Sequence, residues 1–170
     1  MRILVFSDSH GNVERMKRVV ERTEADLILH LGDGERDFEA LQESYRGRAI
    51  FMAVRGNGDF LSDLPAERIF EFEGVRFLML HGHTRNVKHG NEVLEAYARV
   101  QKVDLVLYGH THCAEDRYYP AEGEAKPFRL FNPGSIGSPG YGLPPRYGYI
   151  EIRNGQILTN CAVFKVRCHK

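Results

Sequence analysis

Tryptophan is absent from this sequence, and cysteine nearly so: Cys113, Cys161 and Cys168 are the only three. No two of them stand in CxxC spacing, so neither a zinc knuckle nor a disulfide framework is encoded. Three scattered thiols read as small, inert groups of a reduced, cytoplasmic protein. An excess of one charge is also missing, since Lys plus Arg number 23 and Asp plus Glu number 23. A domain that grips long nucleic acid carries a basic surplus. That partner is not expected, whereas a nucleotide-sized ligand fits the composition. Long apolar runs are lacking too. The first, over residues 3–6, stops at Ser7 and Asp8, short of the roughly 7–15 residues of a signal-peptide core. Nothing approaches the ~18 apolar residues of a membrane span, so no membrane partner is expected. There is no Gly-Lys-Ser/Thr phosphate loop, which removes kinase and ATPase chemistry. The stretch Gly32-Asp33-Gly34-Glu35-Arg36-Asp37 mimics part of a dinucleotide fingerprint. However, it lacks the third glycine, and Asp33 sets a negative charge where a pyrophosphate would lie.

What is present is an alternation of short apolar runs and amphipathic stretches. At 170 residues a single domain over 1–170 is expected, and folding at that length hides about 70% of the unfolded chain's surface. Residues 3–6 form a continuous apolar run, the pattern of a buried strand, and 27–31, apolar apart from His30, and 50–54 read as the second and third strands. Between them, Val13, Met16, Val19 and Val20 form one helical stripe behind an Asn12 cap, with Glu14 in the first turn. Phe38, Leu41 and Tyr45 form a second stripe. Residues 68–72 and 75–80 flank Glu73-Gly74 as a hairpin. A third helix is expected over 92–102, with Val93, Ala96, Tyr97 and Val100 on one face, followed by a strand over 105–108. The last third is strand-like, over 117–119, 128–131 and a hairpin of 147–152 with 157–166 around Asn154-Gly155. Residues 132–145 read as a long Gly/Pro-rich loop. Helices early and hairpins late predict two packed mixed sheets with helices outside.

Five short clusters share one position, just after a predicted strand. They are Asp8-Ser9-His10, Gly32-Asp33, Gly56-Asn57, His81-Gly82-His83 and Gly109-His110-Thr111-His112. Ligands of open α/β sheets bind beyond the carboxyl ends of strands, so all five clusters can converge. Residues i and i+2 of extended chain face the same side. On that reading Asp8 and His10 grip one ion together, and His110 and His112 grip one ion or serve two neighbouring ones. Carboxylate, imidazole and amide oxygen suit Mn, Fe, Zn, Ni or Co. Two divalent cations bring about +4 and the two aspartates about −2, leaving a surplus that favours hydroxide and a phosphate oxyanion.

As a set, these motifs resemble those of the calcineurin-like metallophosphoesterases, and the short chain is similar to the small YfcE-type phosphodiesterase branch. The resemblance runs from Asp8 to Ser135. It implies a four-layer α/β/β/α sandwich of two mixed β-sheets flanked by helices. It also implies one metal held by Asp8, His10 and His112, another held by Asn57, His81 and His110, and Asp33 bridging the two. Asn132-Pro133-Gly134-Ser135 resembles the family's motif after the last ligand. One departure matters. Many relatives place a His directly after the motif Asn, where it is taken to protonate the leaving group. Here Gly58 stands there, as in the YfcE-type branch. Losing a general acid costs about 10²–10⁴ in rate, least for a weakly basic leaving group, so efficient hydrolysis of alkyl monoesters is not expected.

The expected function is a metal-dependent phosphoesterase, more specifically a phosphodiesterase acting on a small phosphodiester or nucleotide. A hydroxide bridging two divalent ions would be the nucleophile. Mn is the foremost metal, with Ni, Fe, Co or Zn as alternatives. Asn57 would also touch the substrate phosphate. His83 would stand in as the acid, and Arg55 and Arg85 would meet the phosphate. Two other readings compete. A protein-binding scaffold on the same fold has no need of all the ligand residues, and Gly58 counts against a phosphomonoesterase or protein phosphatase. His30 reads as a core histidine. Asp37 and Asp59 read as loop charges or as carboxylates that orient ligand histidines. Thr111 reads as a turn hydroxyl, and His89 and His169 as loop and tail residues. The loops over 61–67, 85–91 and 134–146 carry no readable specificity code. No heptad fixes the oligomeric state, and a homo-oligomer is compatible with the sequence.

Overall fold

The first apolar run forms β1 (Arg2–Phe6), in which Ile3, Leu4, Val5 and Phe6 are all buried. The computed structural model describes residues 1–140 and 142–165. Cys168, His169 and the expected strand end at Val166 lie outside the described residues. Along the chain follow α1 (Val13–Arg22), β2 (Leu27–His30), α2 (Glu35–Ser44), β3 (Ile50–Ala53), β4 (Glu67–Phe72) and β5 (Val75–Leu80). Then come a short 3₁₀ turn (His83–Arg85), α3 (Glu92–Gln101), β6 (Leu105–Leu107), β7 (Ala114–Tyr119), β8 (Phe128–Pro133), β9 (Arg146–Arg153) and β10 (Gln156–Val163).

The strands make two five-stranded sheets, ordered β10-β9-β1-β2-β3 and β4-β5-β6-β8-β7. β1, β2 and β3 run parallel, and at one side β9 runs antiparallel to β1 and β10 antiparallel to β9. In the second sheet β5, β6 and β8 are parallel, with β4 and β7 as antiparallel edges. Successive strand side chains alternate between faces. Ile3, Val5, Leu27 and Leu29 therefore meet Phe77, Met79, Leu105, Leu107 and Phe131 between the sheets. Leu4, Phe6 and Ile28 point the other way, against Met16, Val19 and Val20 of α1 and Leu41 of α2. Leu78, Leu80 and Val106 take Leu94 and Ala98 of α3. The result is the expected four-layer α/β/β/α sandwich. Each fully buried aliphatic side chain contributes about 1.5–3 kcal/mol.

Three sequence expectations differ from the structure. The buried face of α3 is Leu94 and Ala98, while Val93 is 55% and Val100 74% exposed. This helix carries two apolar stripes, and periodicity cannot choose between them. Asn12 occupies the N-cap position of α1 without a side-chain capping bond, and its amide donates to the Gly137 carbonyl instead. β7 and β8 are longer than expected, running over Ala114–Tyr119 and Phe128–Pro133. Both proposed hairpin turns are present. Glu73 and Gly74, and Asn154 and Gly155, all have positive φ, the geometry of two-residue turns that match strand twist.

Candidate metal centre

The carboxyl ends of β1 and β2 in one sheet, and of β5 and β6 in the other, deliver the clusters to one place. Ligand atoms of Asp8, His10 and His112 all lie within 4.8 Å of one another, as do those of Asp8, Asp33 and His81. Asp8 is common to both groups. His10 Nε2 is 3.4 Å from His112 Nε2. His81 Nε2 is 3.5 Å from Asp33 Oδ2 and 3.9 Å from Asp8 Oδ1. The rings of His81 and His110 stand 5.0 Å apart. His110 and His112 therefore turn to different neighbours. Asn57 is exposed beside these groups, next to Gly58, whose amide donates to Asp33 Oδ1 at 2.7 Å.

The convergence does not come from extended chain. Asp8 (φ 53), His10 (φ 43), Asp33 (φ 57), His110 (φ 67) and His112 (φ 59) are all left-handed. Asp8 and His10, which alternation paired, do lie close together, but on left-handed rather than extended backbone. Each such residue costs about 1–3 kcal/mol and persists only where its surroundings enforce it. Here the loops enforce one another. Asp8 N donates to Gly32 O, His10 N to Asp33 O, and Gly109 N to His81 O. Ser135 Oγ donates to Asp8 O at 2.8 Å, and the Asn132 amide donates to Gly109 O and Thr111 Oγ1. The 132–135 motif thus ties the β1 and β6 loops together. Close approach demands glycine at position 56, where a Cβ would sit 2.1 Å from Asp33 Oδ1.

Asp37 and Asp59, read as loop charges or as carboxylates that orient histidines, instead accept from backbone amides and, for Asp37, also from a serine hydroxyl. Asp59 accepts from the amides of Asp33, Gly34 and Gly56 at 2.8 Å each and of Glu35 at 3.0 Å. Burial raises its pKa, but these four donors outweigh that and hold the carboxyl below its ordinary value. Asp37 accepts from Ser9 Oγ at 2.6 Å and Gly11 N at 2.8 Å, gripping both sides of His10. His30 is the core residue expected. Its Nδ1 accepts from Gly32 N, which leaves Nε2–H toward Ser9 Oγ at 3.1 Å. Burial pushes its pKa down to about 4.

Carbonyls orient the histidines instead. Nδ1–H of His81 donates to Leu31 O and that of His112 to Ser138 O, both at 2.7 Å. Each Nε2 is thereby turned toward the carboxylates. Asp8 Oδ1 and His81 Nε2 are both buried and neither has a hydrogen-bond partner. His112 Nε2 lies 3.1 Å from the same Oδ1, off hydrogen-bond alignment, so that contact is electrostatic. A shared cation satisfies both orphaned atoms. A proton on Nε2 reaches only Asp33 Oδ2 at 3.5 Å and leaves Asp8 Oδ1, at 3.9 Å, unsatisfied. Burial lowers the His81 pKa, but Asp33 and Asp8 more than offset it, and the net shift is upward. Asp33 shows the converse: burial raises it, and His81 and the Gly58 amide carry it well below the carboxylate range. Burial and His81 push His110 down to about 4, keeping it neutral. The donor set fits divalent cations.

The other candidates divide. His83 lies on the 3₁₀ turn with its ring 5.5 Å from His81 and 6.1 Å from His110. Its Nδ1 is buried without a partner, and burial together with His81 lowers its pKa. Arg85 is committed elsewhere, donating to Glu67 at 2.9 Å and lying over the Tyr97 ring at 4.1 Å. It is not available to a phosphate. Arg55 is exposed at the loop surface. Thr111 Oγ1 bonds within its own turn, to Cys113 O. The sequence reading missed Arg15, which donates to the carbonyls of Ile136 and Gly137, and the backbone role of Asp59. Asp59 had a readable signal in its place directly behind Gly56-Asn57-Gly58.

A sandwich that gathers buried carboxylates with one buried and several more accessible imidazoles at strand ends from both sheets is the build of a metal-dependent hydrolase. The family model of the calcineurin-like phosphoesterase superfamily domain matches residues 1–155, and the chain belongs to that superfamily. It is similar to the probable metallophosphoesterase YsnB of Bacillus subtilis, 29% identical over 158 residues that cover 91% of this chain and 86% of the relative. It is also similar to the phosphodiesterase YfcE of Escherichia coli K12, 30% identical over 177 residues covering 89% and 88%. The crystal structure of a predicted phosphoesterase from Streptococcus pneumoniae TIGR4 matches with a TM-score of 0.72 at 28% identity, covering 89% of this chain and 83% of that one. Membership implies divalent metals and phosphoester substrates. No helix among the described residues is long and apolar enough to cross a membrane.

Proposed function

We propose that this protein is a phosphodiesterase that hydrolyses a small phosphodiester or nucleotide at a dinuclear metal site. The observation that supports it most directly is the pair of buried, unpartnered atoms, Asp8 Oδ1 and His81 Nε2, aimed into one space. In this reading Asp8, His10 and His112 would hold one ion and Asn57, His81 and His110 the other, with Asp33 serving both as the family resemblance implies; by distance alone it is Asp8 that stands in both groups. Mn suits the oxygen and imidazole donors, with Ni, Fe, Co or Zn as alternatives. When bound, such a pair activates water near neutral pH and neutralises charge on the phosphate.

The chain's own groups do the rest. Asn57, exposed at the rim, donates its amide to a phosphate oxygen. Arg55 adds positive charge at the mouth. His83, with its depressed pKa, is neutral near pH 7 and assists the departing oxygen as a hydrogen-bond donor. Position 58 adjoins the reacting region, since a Cβ there would lie 3.2 Å from Asp33 Oδ1. A glycine at that point supplies no acid, which favours diesters with weakly basic leaving groups over alkyl monoesters. The phosphodiesterase name of the YfcE relative supports the same preference. The free thiols Cys113 and Cys161 agree with a cytoplasmic setting. The complete set of candidate ligands weighs against a scaffold that has lost its chemistry.

The test is metal analysis of chelated and then Mn-reconstituted protein, with turnover of bis(p-nitrophenyl) phosphate and p-nitrophenyl phosphate. Stoichiometric metal uptake and faster diester hydrolysis are expected. Failure of Mn, Ni, Co and Zn alike to support diester hydrolysis, or a faster monoester rate, overturns the reading. Loss of His83's proposed role is read from His83→Ala: unchanged turnover and pH profile remove it.

A further inference from the structure

Beside the candidate metal centre runs a cleft of about 450 Å³. It shares His10 and Asp33 with the centre and continues past Gly58 to Glu35, Arg36 and Phe60. That volume lies within the range of small-molecule sites, about 300–1,000 Å³. Its far wall is unusual for a surface. Phe60 is 86% exposed, and the next residue, Leu61, is fully exposed with φ 59. A bulky residue in the left-handed region is strained, and nothing is gained by leaving two large apolar side chains in water. The segment is nevertheless pinned from behind, because Asp59 is tied to four backbone amides. The backbone that carries Phe60 is thus held from the Asp59 side, which keeps an aromatic ring at the lip of a cleft that opens onto the reacting region.

The polar groups of the cleft narrow what lies on that surface. Among the described residues no ion pair engages Glu35 or Arg36. A second phosphate is not served here. The amides of Gly34 and Glu35 at the start of α2 are already taken by Asp59, and Asp33, Glu35, Asp37 and Asp59 all line the cleft. An uncharged, flat group is served well. A phenyl ring and a guanidinium both stack on π systems, and a carboxylate accepts from a ring amino group.

We propose that this cleft is a base-binding subsite, so that one ester arm of the substrate is a nucleoside stacked on Phe60 with Arg36 and Glu35 as its polar contacts. The inference rests on the phosphodiesterase reading and names its substrate class. The test is competition against hydrolysis of bis(p-nitrophenyl) phosphate by the Mn-loaded protein. Adenosine monophosphate and glycerol 3-phosphate offer the same phosphate and differ in the arm. The nucleotide is expected to inhibit about tenfold more strongly or better, the scale of one base–aromatic stack. Phe60→Ala brings the two inhibitors level, Phe60→Tyr keeps the preference, and Arg36→Gln reduces it. Equal inhibition in the unaltered protein, or a preference that survives in Phe60→Ala, overturns the subsite and indicates an alkyl arm. If no metal supports diester hydrolysis, it is the phosphodiesterase reading that fails. Calorimetric titration of adenosine monophosphate into Mn-loaded protein and Phe60→Ala then still decides the subsite: binding weakened by the substitution supports it, and unchanged binding overturns it.

Discussion

Two groups of residues occupy the left-handed backbone region for different reasons. In the hairpins it falls on Glu73-Gly74 and Asn154-Gly155, where residue choice and turn geometry agree and no tertiary contact is required. At the strand ends it falls on Asp8, His10, Asp33, His110 and His112, where neither an imidazole nor a carboxylate gains anything locally. There the conformation survives because Asp59, Asp37, Asn132 and Ser135 fix the adjoining backbone. The lesson is that strain in the turns is encoded locally, whereas strain at the site is a property of the assembled fold. Substitutions in the first group should lower stability alone. Substitutions in the second should lower stability and metal loading together.

Asp59→Ala gives the largest effect. Four amides lose their acceptor, and discounting for the partial exposure of this carboxylate the loss is roughly 3–5 kcal/mol. Denaturant unfolding reads the stability, and Mn content after reconstitution falls in parallel. Next comes acid. The His30 pKa is about 4 in the fold, against about 6.5 in an unfolded chain. The unfolded chain therefore takes up this proton between those values and the native state does not. The contribution is fully present above about pH 6.5 and is lost as pH falls toward 4, about 3 kcal/mol in all. Unfolding at stepped pH should show a flatter acid limb in His30→Gln than in the unaltered protein. Gly56→Ala drives a methyl into Asp33 and should cost about 2 kcal/mol together with metal affinity, read by calorimetry. Gly155→Ala is the control from the other group. It should cost about 1 kcal/mol and leave metal content untouched, and a change in loading there would dissolve the distinction.

The strands were legible because β1, β2, β5 and β6 are almost wholly buried and, apart from Arg2, His30 and Arg76, read as apolar runs. The candidate ligands were legible by residue type and by their place after those runs. What could not be read was anything that depends on a second segment. α3 offers Val93, Tyr97 and Val100 as one stripe and Leu94 with Ala98 as another, and only the presence of Leu78 and Val106 selects the latter. Arg85 looked free for a phosphate until Glu67 and Tyr97 claimed it. Asp59 looked like a loop charge because its four partners come from positions 33–35 and 56.

Asp8 and Asp33 belong to one sheet and His81, His110 and His112 to the other. An ion gripped by both is a rivet through the two halves, and its binding energy reports on whether they are docked. At a free concentration one hundred times its dissociation constant, a single ion holds the closed form by about 2.7 kcal/mol. Chelation should therefore lower the melting temperature, and weakening the sheet interface far from the rim should release metal.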